Sequence, residues 1–282
     1  MRARAPASSA NLGPGFDTLG LALALYVDVE VVPADELSVV AEGEGSDYPA
    51  DGSHLAARVA SAVVGHDRLA VTVRSSIPVG RGLGSSAALA AAAAAAAGAT
   101  NPLAIATMVD GHPDNAAASV LGGLVTASTV DGAAVARKLA LDPALAFVVL
   151  VPQRTLATKE ARAALPEFVA HADAAFNLGR MGLLLAGLAD HRLLVPAATE
   201  DRLHQEQRAS LFPEAPALLA GLVDVGALAS CWSGAGPTLL ALCTTDAAAH
   251  VRAAGEALLA DAGVEGTALL LAPDVDGLVV GE

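Results

Sequence analysis

The stretch from Pro78 to Ala97, PVGRGLGSSAALAAAAAAAA, constrains the fold more than any other part of the chain. From Ala87 on it is alanine at every position but Leu89, and alanine is the strongest intrinsic helix former, so a helix must begin near Ser85. Ahead of the helix, glycine stands at 80, 82 and 84, and a strand-like run, residues 69–73 (LAVTV), leads into it. A strand, a glycine-rich loop and a helix N-terminus therefore follow one another. Backbone N–H groups without neighbouring Cβ atoms, the hydroxyls of Ser85 and Ser86 at the N-cap and first turn, and the positive end of the helix dipole together suit a phosphate group. Taken alone, the stretch also suits an ordinary glycine-rich turn. A G-x-x-x-x-G-K-[ST] loop is excluded, because neither Lys138 nor Lys159 follows a glycine. Gly82-x-Gly84-x-x-Ala87 fits a dinucleotide fingerprint loosely, but the acidic residue such a site needs about 20 positions on would fall where the chain still reads as helix.

The length, 282 residues, suits one large domain or two closely packed ones. Hydrophobic residues make up 54% and aromatics only 3%, so the core is expected to be built from small and aliphatic side chains. The apolar run 87–97 falls short of the about 20 residues that a membrane span requires. Arg2 and Arg4 lead into polar sequence without an apolar signal region, so a cytoplasmic protein is expected. A formal charge of −14 argues against nucleic acid and anionic membrane surfaces as partners. An acidic protein that binds phosphate must supply its positive potential locally. Cys231 and Cys243 have no CxxC spacing and are expected to be buried, reduced thiols.

Along the chain, residues 6–25 read as a loop leading into a buried element, with Gly13-Pro14-Gly15 turning the chain so that Asn11 and Asp17 meet. Residues 26–33 and 37–41 read as strands, and residues 53–64 as a helix. Asp110-Gly-His-Pro-Asp-Asn115 is a polar turn before a second small-residue helix; His112 and Asp114 lack the third ligand that zinc would require. Strands are expected at 124–130 and 145–152, with the charged, loop-like segment 131–142 between them as a domain junction. A long helix at about 167–189 follows. Thr158 and Arg162 share a helix face, and residues 201–208 read in isolation as a solvated helix face. Residues 233–238, SGAGPT, form a second glycine-rich turn between the strand-like runs 229–232 and 239–243.

Four motifs in this order, PASSANLGPGFD, PVGRGLGSSAA, GHPDN and SGAGPT, resemble the GHMP kinase family over nearly the whole chain. SANLGPGFD with HPDN, TKEAR and DRLHQ…R is similar to the branch that phosphorylates homoserine. The resemblance implies an α+β fold of two domains, 1–142 with a left-handed βαβ unit and 143–282 ferredoxin-like, with the active site between them. It implies ATP bound along Pro78, Val79, Gly80, Arg81, Gly82, Leu83, Gly84, Ser85, Ser86, Ala87 and Ala88 and against Ser233, Gly234 and Gly236. Magnesium would be held by Ser86 and by Asp110, which stands where the family usually has glutamate. That shorter side chain raises the possibility of a bridging water or of lost contact with the metal.

By the same resemblance, Asn11, Asp17 and His112 would line the substrate pocket, Asp17 meeting the ammonium of homoserine, while Arg162 and Arg208 hold its carboxylate. Thr158 and Asn115 would sit near the reacting hydroxyl. Other GHMP kinases carry an aspartate at the position of Asn115, and a neutral amide cannot act as a general base, so transfer without a protein base is implied. Lesser readings are a GHMP kinase for another small alcohol, or an inactive metabolite-binding relative, which Asp110 would favour. The expected partners are homoserine and ATP, with a homodimer as a further option.

Overall fold

The computed structural model describes residues 1–281 and is built on two sheets. The first half of the chain supplies β1 (Arg2–Ala10), β2 (Leu19–Pro33), β3 (Ser38–Gly43), α1 (Leu55–Val64), β4 (Leu69–Ser75), α2 (Ser85–Ala96), α3 (Pro102–Asp110), α4 (Pro113–Leu121), β5 (Leu124–Val130) and β6 (Ala133–Leu139). The second supplies β7 (Leu145–Pro152), α5 (Thr158–Ala163), α6 (His171–Ala189), α7 (Gln205–Arg208), α8 (Ala215–Asp224), β8 (Ala229–Trp232), β9 (Leu239–Thr244), α9 (Thr245–Asp261), β10 (Gly266–Leu271) and β11 (Val279–Gly281). No helix among the described residues is long and apolar enough to cross a membrane.

In the first sheet, β11, β1, β2, β4 and β3 lie side by side, and the start of β2 also pairs with β5, which pairs with β6. β3 and β4 are parallel and are joined through α1, forming the βαβ unit. The second sheet has the order β10-β7-β9-β8, antiparallel throughout, with helices between β7 and β8 and between β9 and β10. This is the ferredoxin-like arrangement. β11 carries the end of the chain back to the first sheet.

Two segments differ from their expected form. Residues 6–10, expected as the start of a loop, belong to the strand β1, because Ala3, Ala5 and Ala7 alternate into the core and Pro6, which has no N–H to donate, sits at a bulge in the pairing with β2. Segment 131–142 is mostly the strand β6. Asp131 and Gly132, with φ of 51° and 79°, make the two-residue hairpin turn that Asp-Gly favours, and the charges of Arg137 and Lys138 sit on the sheet's edge strand.

α2 explains the alanine run. Ala87, Ala88 and Ala90 through Ala96 are all buried, against β1, β2, α1, α3 and α4. A helix apolar on every side belongs in the interior, and a methyl side chain allows backbones to approach closely from all directions. β7 joins the two halves in a similar way. Its eight residues are all buried, with Leu145, Phe147, Val149 and Val151 in the core that contains α2 and with Ala146, Val148 and Leu150 in the second core, with α8 and α9.

This packing predicts that Ala91→Leu will destabilise the protein by about 1–3 kcal/mol through overpacking. Ala172→Leu, on the exposed face of α6, should stay within about 0.5 kcal/mol of the parent. Chemical denaturation of both variants measures the difference, and equal stabilities would contradict the packing of α2.

Candidate active site

A cleft of about 270 Å³ opens between the two halves, and its walls come from both. The 11–17 turn forms one corner. Asn11, Leu12 and Asp17 have φ of 70°, 50° and 53°, a left-handed conformation that non-glycine residues adopt at a cost and that clusters at functional sites. The Asn11 amide holds the turn in place. Its Oδ1 accepts from the Asp17 N–H at 3.0 Å and its Nδ2 donates to the Gly234 carbonyl at 2.9 Å. Asp17 then meets Arg162 in a two-pronged ion pair, Nη2 to Oδ1 at 2.5 Å and Nη1 to Oδ2 at 3.2 Å, with each side chain about a third exposed to the cleft.

Arg208 stands beside this pair and is only 1% exposed, which corrects the solvated-face reading of residues 201–208. Its Nη1 donates to the Gly234 carbonyl at 2.9 Å and its Nε to the Ala161 carbonyl at 3.4 Å. Burial, with Arg162 close by, pushes its pKa down to about 10, so it remains a cation at neutral pH. The Phe16 ring lies 5.4 Å from the Arg162 guanidinium carbon and 5.5 Å from that of Arg208. Two cations and one carboxylate thus share a single corner.

The glycine loop forms the opposite wall through Val79, Gly80, Gly82, Gly84, Ser85 and Ser86. Gly84, rather than a serine, caps α2 with φ of 64°, and no side chain bonds the first-turn N–H groups. A Cβ on Gly82 would lie 2.4 Å from the Ser233 carbonyl oxygen, and one on Gly84 would lie 2.0 Å from Ser8 Oγ. Glycine is therefore imposed at these positions by the Ser233 turn and by Ser8 of β1 packed behind them, and the open backbone facing the cleft follows from that. Ser233 is fully buried and its Oγ donates to the Gly82 carbonyl at 2.7 Å, so it braces the loop; Gly236 packs on Trp232, and Gly234 and Ala235 face the cleft in their place. Pro78, Leu83, Ala87 and Ala88 are likewise buried supports, and Arg81 does not line the cleft.

Asn115 lies at the base. Its Oδ1 accepts from Ser8 Oγ at 2.9 Å and its Nδ2 donates to Asp110 Oδ2 at 3.5 Å, while Ser86 Oγ donates to Asp110 Oδ1 at 2.6 Å. The shorter Asp110 side chain therefore still reaches the loop. Desolvation holds its carboxyl above the usual range, with the Ser86 hydrogen bond working in the opposite direction. His112 and Thr158 also line the cleft, Thr158 as the first residue of α5.

Sequence reading gave no role to Ser8 or His204, weighed Asp114 only as a zinc ligand, and missed a neighbouring cavity of about 290 Å³. This second cavity is lined by Tyr48, Pro49, His54, Leu55 and Leu89 and shares Val79, Ser85 and Ser86 with the cleft. Nothing in the sequence separates Ser8 from Ser9. His204 carried a readable signal, since it stands four residues before Arg208.

Asp114 is 3% exposed, and burial next to Asp17 and Asp110 raises its pKa from 3.8 to about 7. Between these values the folded state keeps a proton that the unfolded chain has released, so stability falls as pH rises through the window. Asp114→Asn cannot titrate. Its stability relative to the parent should rise from about pH 4 to about pH 7 and level off above that. Denaturant titrations across the range would give parallel curves if Asp114 had an ordinary pKa.

Two family models match the chain: GHMP kinases N terminal domain at residues 54–123 and GHMP kinases C terminal at residues 174–261. Homoserine kinase of Rhodococcus opacus is 44% identical, the match covering 90% of this chain and 91% of that protein. Homoserine kinase of Moorella thermoacetica is 41% identical over 98% of both chains. The crystal structure of homoserine kinase from Cytophaga hutchinsonii superposes with a TM-score of 0.86 at 26% identity, covering all of this chain and 97% of that one. Mevalonate kinase of L. major shares the fold, with a TM-score of 0.72 at 14% identity. Motifs, fold and cleft agree with these matches, and the chain belongs to the GHMP kinase family, in its homoserine kinase branch.

Proposed function

We propose that the protein transfers the γ-phosphoryl group of ATP to the hydroxyl of L-homoserine, giving ADP and O-phospho-L-homoserine. One observation carries the reading. Asp17, Arg162 and Arg208 share a corner of a cleft whose opposite wall is a glycine-rich loop and a helix N-terminus whose first-turn N–H groups have no side-chain cap. The corner offers a carboxylate for an ammonium and guanidinium groups for a carboxylate, which are the two ends of an amino acid. The Asp17–Arg162 pair meets both charges of such a zwitterion, and a sugar or mevalonate has no ammonium to offer it. The α2 N-terminus and the open N–H groups of the loop suit the phosphates. The cavity beyond Ser85 and Ser86, with Tyr48, Pro49, Leu55 and Leu89, offers a largely apolar slot of a size to suit the adenine.

Ser86 Oγ and the Asp110 carboxylate are hard oxygen donors 2.6 Å apart at the cleft, which fits Mg²⁺. When bound, the metal neutralises charge on the phosphoryl oxygens. The chain's own residues do the positioning. Asn115, held by Ser8 and Asp110, presents an amide with no proton-accepting function, and Thr158 offers a hydroxyl at the cleft's rim. Phosphoryl transfer passes through a loose transition state, so alignment and charge neutralisation can supply most of the catalysis without a strong base.

Turnover of homoserine and of 3-aminopropanol, which lacks the carboxylate, tests the reading. Losing one partner of a desolvated charged pair costs about 2–5 kcal/mol. Arg162→Ala and Arg208→Ala should each lower kcat/KM for homoserine more than tenfold, at about 1.4 kcal/mol per factor of ten, while nucleotide binding persists. The parent should prefer homoserine strongly, and both variants should lose that preference. Unchanged preference in both would remove the corner from substrate recognition.

A further inference from the structure

His204 is fully buried, yet both of its ring nitrogens are committed, and to different parts of the cleft. Nε2 lies 2.8 Å from the Gly13 carbonyl oxygen, which can only accept, so Nε2 carries the proton. Nδ1 of the neutral ring is then a lone-pair acceptor, and Arg208 Nη1 donates to it at 3.0 Å. Asp201, the nearest acidic partner, lies 3.6 Å from Nε2, too long for a hydrogen bond. Its carboxylate is occupied by the backbone N–H groups of Leu203, His204 and Gln205 and by the Asn177 amide. The imidazole also stacks on Phe16, with ring centroids 5.1 Å apart and planes 26° from parallel. The ring therefore touches the 11–17 turn twice and Arg208 once. Burial, with the cation of Arg208 adding to it, drives the His204 pKa down to about 4, so the ring is neutral at physiological pH.

We propose that His204 is a positioning residue for substrate selection: as the Nε2–H tautomer it couples the 11–17 turn to Arg208 and fixes the guanidinium at the angle from which the cleft reads a carboxylate. The inference rests on the reading of Arg208 as a carboxylate-binding residue. Nε and Nη1 are both held by protein acceptors, so Arg208 can turn only Nη2 outward. Without the acceptor at Nδ1 this constraint is loosened. A histidine that merely filled the core would bond backbone alone and would not influence substrate choice.

Two variants separate the two nitrogens. In His204→Asn the side-chain oxygen replaces Nδ1 and keeps an acceptor for Arg208; in His204→Gln the terminal amide replaces Nε2 and keeps only the bond to Gly13. His204→Gln should raise the KM for homoserine about tenfold, the loss of roughly one hydrogen bond to a charged group. It should leave the KM for ATP unchanged and narrow the preference for homoserine over 3-aminopropanol. His204→Asn should keep both the homoserine KM and the preference close to those of the parent. Parent-like selectivity in His204→Gln, or equal loss in both variants, would overturn the proposal. Nitrogen NMR of the imidazoles in the intact parent provides a test independent of variant folding: a neutral ring protonated at Nε2 is expected at neutral pH, and a charged or Nδ1-protonated ring would overturn the proposal. If Arg208→Ala itself keeps its preference for homoserine, the reading of Arg208 as a carboxylate-binding residue fails; if Arg208→Ala loses it and His204→Gln does not, only this inference fails.

Discussion

The two glycine-rich turns meet at Gly82, where the backbone of Ser233 and Gly236 leaves no space for a Cβ, and both are tied to the end of β1. The Gly82 carbonyl accepts from Ser233 Oγ, the Arg81 carbonyl accepts from the Thr238 N–H at 3.2 Å, and the Ala10 carbonyl accepts from the Gly234 N–H at 3.0 Å. A fourth bond, from the Ser8 N–H to the Leu83 carbonyl at 3.1 Å, pins the loop to β1. Because these contacts join the glycine loop to both sheets, the loop wall and the Asp17–Arg162–Arg208 corner of the cleft are held at one fixed separation. That suits a reaction in which the catalyst's main task is to align two reactants.

The charge layout follows from the same frame. In a chain with an excess of acidic residues, the cleft's guanidinium groups are each held by the protein: Arg162 by Asp17, and Arg208 by three acceptors. Positive potential in the cleft is concentrated at these guanidinium groups and at the N-terminus of α2. Asp110 and Asp114 are both desolvated enough to raise their pKa values, the cost of a compact polar base beneath the loop.

Residues with unambiguous physical demands were the legible ones. The alanine run could only be a helix, and β5 and β7 span the residues where strands were expected, 124–130 and 145–152. β1 was hidden because its small side chains, needed for close packing against α2, lack the β-branched signature of a strand. β6 was obscured by charges that mark an edge strand, although Asp131-Gly132 announced the hairpin. Within the site, motif residues with their own chemistry, such as Asp17, Arg162 and Asn115, were visible one at a time. The contacts that give them geometry were not, because Ser8 meets Asn115 across 107 positions and His204 meets Gly13 across 191. The apolar cavity beside the loop was not legible, since apart from Val79, Ser85 and Ser86 its lining comes from segments that carry no motif.

The central claim is that placement, not proton abstraction, drives the transfer, and Asn115 tests it. An aspartate there would bring a carboxylate beside Asp110 and break the amide's donation to it. The decisive measurement is the single-turnover rate of Asn115→Asp against the parent, at saturating ATP, magnesium and homoserine, from pH 6 to 9. The account predicts a slower variant at every pH. A rate above that of the parent, with a pH dependence set by the new carboxylate, would contradict it and show that the site had been waiting for a base.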